Sequence, residues 1–234
     1  PLTRNRLMSR SFQSSLSLWE RARAWVFIFP CLLSAVLLGP IPALAGHGFV
    51  STFGNIEWLP EPGRTPDSVW YQLDAAKEEG QLLLVQDNAE KVALYLTFAR
   101  EKLAEVEAMV KIEDKAAAET AVERYREYIT RAQQLMQSAD KNKESLAEKM
   151  ATALLEHQYI LSVIYEELPA GPRVVVPTVI KVAQQHYQDV IQFLSRKKKG
   201  ALFFKEEEVR WSVQMVLRAE EEETENQGIG KSGR

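Results

Sequence analysis

The 234 residues carry 29 Lys/Arg against 32 Asp/Glu, a formal charge of −3 that is unevenly spread along the chain. Five of those bases and one of those acids, Glu20, precede Ala45, so the 189 residues beyond it carry −7, and they lack cysteine because Cys31 is the only one. For that later part the counts exclude a disulfide framework, a thiolate zinc site, an iron–sulfur cluster, c-type haem attachment and a cysteine nucleophile, and the acidic balance argues against nucleic-acid binding.

Residues 24–45 read AWVFIFPCLLSAVLLGPIPALA, without a formal charge. The length permits a membrane span. However, Gly39, Pro40 and Pro42 break the run, and Ala43 and Ala45 follow in the A-x-A spacing that signal peptidase requires. With Arg10, Arg21 and Arg23 ahead of the apolar run, residues 1–45 have the three-part pattern of a secretory signal peptide, with cleavage expected after Ala45. An uncleaved signal anchor is the second reading. Cys31 lacks the small residues that lipidation needs just before it, so no lipid anchor is predicted.

Residues 46–66 form a Pro/Gly-rich arm with Phe49, Phe53, Ile56, Trp58 and Leu59 scattered through it. That many aromatic and aliphatic side chains predict packing onto the domain, not a free linker. From residue 67 to 223 the periodicity is helical. A first helix follows Pro66, with Asp67 or Ser68 as its cap and Val69, Leu73, Ala76, Gly80 and Leu83 as one face. Gln86–Asp87–Asn88 suits a turn and cap. A second helix carries Val92, Tyr95, Leu96, Ala99, Leu103, Val106 and Val110, with Arg100, Glu101, Lys102 and Glu105 assigned to its solvated faces.

After a break at Lys111 to Asp114, a third stripe runs Ala118, Ala121, Val122, Tyr125, Ile129, Ala132, Leu135 and Met136. A fourth runs Leu146, Met150, Leu154, His157, Ile160, Leu161, Ile164 and Leu168, and Pro169–Ala170–Gly171–Pro172 stops it. Val174–Val175–Val176 is β-branched, but three residues before Pro177 make no sheet. A fifth helix is therefore predicted from about Val176, with Val179, Ala183, His186, Tyr187, Val190, Ile191 and Leu194 on its stripe and Arg196 to Lys199 at its C-terminal end. Gly200 separates a last helix over about 205–222, with Val209, Val213, Val216 and Leu217 inward, and 224–234 has the composition of a disordered tail. The expected fold is all-α, an elongated bundle of five to six antiparallel helices.

The stretch TPDSVWYQLDAAKEEGQLLLVQDNAEKVALYLTFAREKLAEVEAM resembles a bacterial domain family of unknown function, number 5667. Pro66, Asp67, Ser68, Tyr71 and Leu73 match its opening. Asn88 to Lys91, Leu94, Leu96, Phe98, Ala99, Leu103, Ala104 and Glu105 match its Leu-rich helix. Val69, Asp74 and Asn88 depart from it, standing where Pro, Lys and Pro are common. The resemblance spans residues 57 to about 140. It implies an exported helical domain and supplies no catalytic residues.

The candidate chemistry is sparse. His157 and His186 are the metal or haem candidates, on stripes of helices that are expected to be neighbours. Leu154 and Ala183, three residues before each, break the Glu-x-x-His pattern of a di-iron bundle. Met136, Met150 or Met215 would be the second ligand to a b-type haem. The competing reading is hydrogen-bonded core histidines and methionine as core filler, and it is the one favoured. His47 is second, not third, after the predicted cleavage, which suits amino-terminal copper poorly. Glu78–Glu79, Glu166–Glu167, Glu206 to Glu208 and Glu220 to Glu223 read as solvated helix faces, and no phosphate loop, G-x-S-x-G or H-E-x-x-H occurs.

Arg196, Lys197, Lys198 and Lys199, followed by Leu202, Phe203 and Phe204, form a candidate membrane or partner surface. The alternative, preferred here, sends those aromatics into the core. The functional expectation is an exported, non-enzymatic helical domain acting through protein contacts in the bacterial envelope, without cofactor. A periplasmic metal- or haem-binding protein and a periplasmic stress chaperone are the alternatives.

Overall fold

The computed structural model describes residues 52–53 and 56–229. The predicted signal segment with Cys31, its cleavage residues Ala43 and Ala45, and His47 lie outside them. The described residues fall within one compact unit. They hold six α-helices: α1 (Tyr71–Leu84), α2 (Asn88–Lys111), α3 (Lys115–Ser138), α4 (Lys143–Ile164), α5 (Val175–Ile191) and α6 (Arg196–Ile229). Short 3-10 turns, Tyr165–Glu167 and Pro172–Val174, bridge α4 and α5, and no strand occurs among the described residues.

Helix boundaries follow local chemistry. The Asp87 carboxylate accepts the Glu90 N–H at 3.1 Å and starts α2 at the predicted cap. Asp114 does the same for α3 through Ala117, at 3.0 Å. Glu113, at φ 62°, turns the chain between the two helices. Its N–H and that of Asp114 satisfy the last carbonyls of α2 at Val110 and Met109. The three valines 174–176 join the end of a 3-10 turn to the first turn of α5, where Pro177 is tolerated because an early N–H has no intrahelical acceptor.

The core is aliphatic, with small residues where backbones approach. Ala99, Ala118, Ala121, Ala132, Ala147, Ala151 and Ala183 are fully buried beside Leu103, Ile129, Leu154, Leu161 and Ile180. Such alanines let ridges seat deeply in facing grooves. Each buried Leu or Ile contributes about 1.5–3 kcal/mol of transfer energy. α2 packs chiefly on α3, and α4 on α5 and α6.

The arm lies on this bundle. Thr52 N–H donates to Glu208 of α6 at 2.7 Å, Phe53 stacks on Tyr159 of α4 at 4.8 Å, and Arg100 of α2 clasps Glu57 and the Trp58 carbonyl at 2.7 and 2.6 Å.

Three expectations need correction. First, α1 begins at Tyr71, not beside Asp67 or Ser68; Ser68 accepts the Trp70 N–H at 3.3 Å in a turn that precedes the helix. Second, the inward face of α1 is Tyr71, Ala75, Glu78 and Leu82, and the predicted stripe's helical leucines point outward: Leu73 is 54% exposed and Leu83 81%, while Val69 precedes the helix. Third, Arg196 to Lys199 do not close the fifth helix. They open α6, Gly200 lies inside that helix, and α6 continues to Ile229, into the stretch expected to be a tail. The Gln192–Ser195 turn makes the break, and Ser195 N–H donates to Glu144 at 2.9 Å.

Candidate functional site

Apolar counting misses the feature that fixes α1. Lys102 sits three residues after Ala99 and four before Val106, on the buried stripe of α2, and is 1% exposed. Its ammonium reaches Glu105 at 2.7 Å, one turn on, and Glu78 of α1 at 2.8 Å. Both carboxylates are buried. Tyr71 of α1 donates its hydroxyl to Glu105 at 3.3 Å, Tyr128 of α3 donates to Glu78, and Lys102 lies 5.3 Å from the centroid of the Tyr71 ring. Tyr95 and Phe98 pack on Tyr128 at 5.9 and 5.6 Å and complete an aromatic wall. Glu78, Lys102 and Glu105 were read from the sequence as solvated. They are buried because three charges and two phenols satisfy one another, which lowers the cost of taking them out of water.

The electrostatics follow from this enclosure. Burial pushes the Glu105 carboxyl up to about 7, and the hydrogen bond and charge of Lys102 offset only part of that. Burial works to lower the Lys102 pKa, but the hydrogen bonds and charges of Glu105 and Glu78 outweigh it and raise the ammonium above its ordinary value. Desolvation, with neighbouring carboxylates, moves Tyr71 and Tyr128 well above the ordinary phenol range. A carboxyl poised near neutrality is what acid–base chemistry uses. Glu105 is 1% exposed, and the groove of about 450 Å³ between α3 and α5 and that of about 250 Å³ among α4, α5 and α6 are lined by other residues. The cluster is a sealed clamp joining α1 to α2 and α3.

The histidines are not brought together. His157 is buried, and Tyr125 of α3 shares a hydrogen bond with its Nδ1 at 3.2 Å. Burial, reinforced by Arg100, lowers its pKa to about 3, which keeps the ring neutral. His186 bonds through Nδ1 to Gln133, also on α3, and burial lowers its pKa despite Asp189. Tyr125 and Gln133 are eight residues apart, about 12 Å along a helix. Met136 and Met150 are buried, whereas Met215 is half exposed on α6. Among the described residues no group of three or more His, Cys, Asp or Glu is placed to hold a metal.

Two surfaces remain. Leu73, Ala76, Leu83 and Leu84 are exposed on α1, Gly80 between them is half-buried, and Val69 is exposed in the turn just before the helix. On α6, Leu202 enters the core, but Phe203 and Phe204 stay exposed, in edge-to-face contact at 5.5 Å; the preference for buried aromatics there was wrong for both. The other carboxylate runs behave largely as expected. Glu220 pairs with Lys181 at 2.9 Å, Glu223 pairs with Arg173, and Glu166 and Glu167 are exposed.

Comparison with curated proteins and with solved structures finds no match. A family model does match, over residues 63–171, which takes in α1 to α4 and every residue of the clamp. It reaches past the stretch to about 140 that carried the resemblance and includes α4, while α5 and α6 lie beyond it. Residues 63–171 of this chain belong to the family described as Domain of unknown function (DUF5667).

Proposed function

We propose that the protein is an exported, non-enzymatic helical domain that acts in the cell envelope by docking an apolar helix of a partner protein on the outward face of α1. The carrying observation is that face. Leu83 and Leu84 are each more than 80% exposed, Leu73 is 54% exposed and Ala76 is exposed on the same helix, with half-buried Gly80 between them and exposed Val69 in the turn before it. A contiguous apolar strip on a surface marks an interaction site. Gly80 supports this reading. A mid-helix glycine costs about 1 kcal/mol relative to alanine, yet a Cβ there would meet nothing within 4 Å. Internal packing does not require the glycine. With Ala76 one turn earlier, it leaves a shallow notch between Leu73 and Leu83 where a second helix could approach closely. The export component rests on the signal-like segment 24–45.

A photo-crosslinking residue placed at Leu73 or Leu83 in the source cells tests the proposal, with Thr120 on α3 as the control position. The expected result is one discrete protein adduct at 73 and 83, absent at 120 and lost when Leu84→Glu is added. Gly80→Ala should stabilise the isolated protein by roughly 1 kcal/mol while weakening the adduct. No adduct, or the same adducts at all three positions, would contradict the proposal.

A further inference from the structure

The N-terminal half of α6 combines cations and exposed aromatics in a way that internal packing does not account for. Arg196 to Lys199 occupy the first turn, where the helix dipole disfavours positive charge. Lys198 is compensated by Glu148 at 2.9 Å. Arg196, Lys197 and Lys199 are exposed and make no ion pair among the described residues. Phe204 follows Lys197 by seven residues, Trp211 follows Phe204 by seven, and Met215 comes four later, so all four share one face of the helix. Phe204 is 69% exposed, Trp211 70%, and Met215 half exposed, whereas Leu202, Val209, Val213 and Val216 on the opposite face are buried.

The intervening acids do not cancel the cations. Glu206 and Glu207 both pair with Arg210, at 3.6 and 2.8 Å, and Glu208 accepts the Thr52 N–H. Residues 196–211 carry six Lys/Arg against three Glu, so the stretch is net basic, with its exposed cations at the start of the aromatic line.

We infer that this line of α6, Lys197–Phe204–Trp211–Met215 flanked by Arg196, Lys199 and Phe203, rests on an anionic lipid bilayer. Exposed cations at one end of a single file of Phe204, Trp211 and Met215 match a flat anionic interface, along which the helix can lie. There Phe and Trp insert at the headgroup boundary, and each nearby Lys or Arg contributes about 1 kcal/mol through the negative surface potential. The surface is separate from the outward face of α1.

The test uses the full chain with Cys31→Ser, carrying an environment-sensitive fluorophore on Phe204→Cys or, as control, on Thr120→Cys. Vesicles are phosphatidylcholine with or without phosphatidylglycerol. The expected result is a blue shift at position 204 with the anionic vesicles only, reversed by high salt, and no shift at 120. Lys197→Glu with Lys199→Glu should weaken the apparent affinity about tenfold or more without moving the thermal midpoint, since both side chains are exposed. A local probe separates this contact from any binding through residues 24–45. Equal shifts on both vesicle types, equal shifts at 204 and 120, no shift at 204, or an unchanged affinity in the double variant would overturn the inference.

Discussion

The α1–α2–α3 interface and the α3–α4–α5 interface solve the same problem, polar groups inside a helical bundle, in opposite ways. The first keeps charge. Lys102 bridges Glu78 and Glu105, with Tyr71 and Tyr128 donating to the carboxylates. The second removes it: His157 is held neutral against Tyr125, and His186 meets the neutral amide Gln133. Position and partner decide the outcome. A histidine can shed its proton at modest cost, whereas Lys102, with two carboxylates in reach, is more stable charged. The charged solution also restricts α1 to one face, because only Glu78 and Tyr71 complete the cluster. That leaves the apolar stripe of the same helix pointing outward.

The largest expected effect breaks the charged side of this comparison. Lys102→Met removes the cation that both carboxylates share, and at pH 8 it should cost about 3–5 kcal/mol of unfolding free energy, read from urea midpoints at constant m. At pH 5 the loss should shrink, because Glu105 is then protonated. A loss under 1 kcal/mol at pH 8 would show that the cluster does not hold α1.

A smaller effect sharpens the contrast through pH. Glu105 has a folded pKa of about 7, above its ordinary 4.5, so the folded protein binds that proton more tightly. Its contribution to stability is greatest below pH 4.5 and is lost as pH rises through 7. His157 runs the other way. Its folded pKa of about 3 lies below the ordinary 6.5, so stability is present above 6.5 and is lost as pH falls toward 3. Glu105→Gln should therefore remove the fall in stability between pH 4.5 and 7, and His157→Gln should remove the opposing rise between about pH 3 and 6.5. A single slope altered equally by both substitutions would dissolve the distinction between the two regions.

Much of the fold was legible in the sequence. The stripes of α2, α3, α4 and α5 are buried nearly as counted, since aliphatic residues at helical spacing have one low-energy place to go. His157 is buried with a hydrogen-bond partner, whereas His186 is only half-buried and bonds to Gln133. Failure came where side chains satisfy each other over long sequence distances. Glu78 and Lys102 are 24 positions apart, and no local window shows that one makes burial of the other affordable. The available signal was Lys102 at stripe spacing between Ala99 and Val106, with Glu105 set among Leu103, Ala104 and Val106. The phase of α1 was misread for the same reason. Its better apolar stripe lost to a face carrying Tyr71 and Glu78. At α6 the four cations looked like a helix end because the dipole favours them there, and an exposed Phe203–Phe204 pair is a surface feature that periodicity does not register.

The orientation of α1 is the central claim, and cysteine accessibility measures it directly, because Cys31→Ser leaves a cysteine-free background. Single cysteines at Leu73, Ala76 and Leu83 should react with a water-soluble thiol reagent at rates near those of an unfolded control. Cysteines at Ala75 and Leu82 should be protected by orders of magnitude under native conditions. Protection at 73, 76 and 83 with fast reaction at 75 and 82 would place the apolar stripe inward and contradict the account.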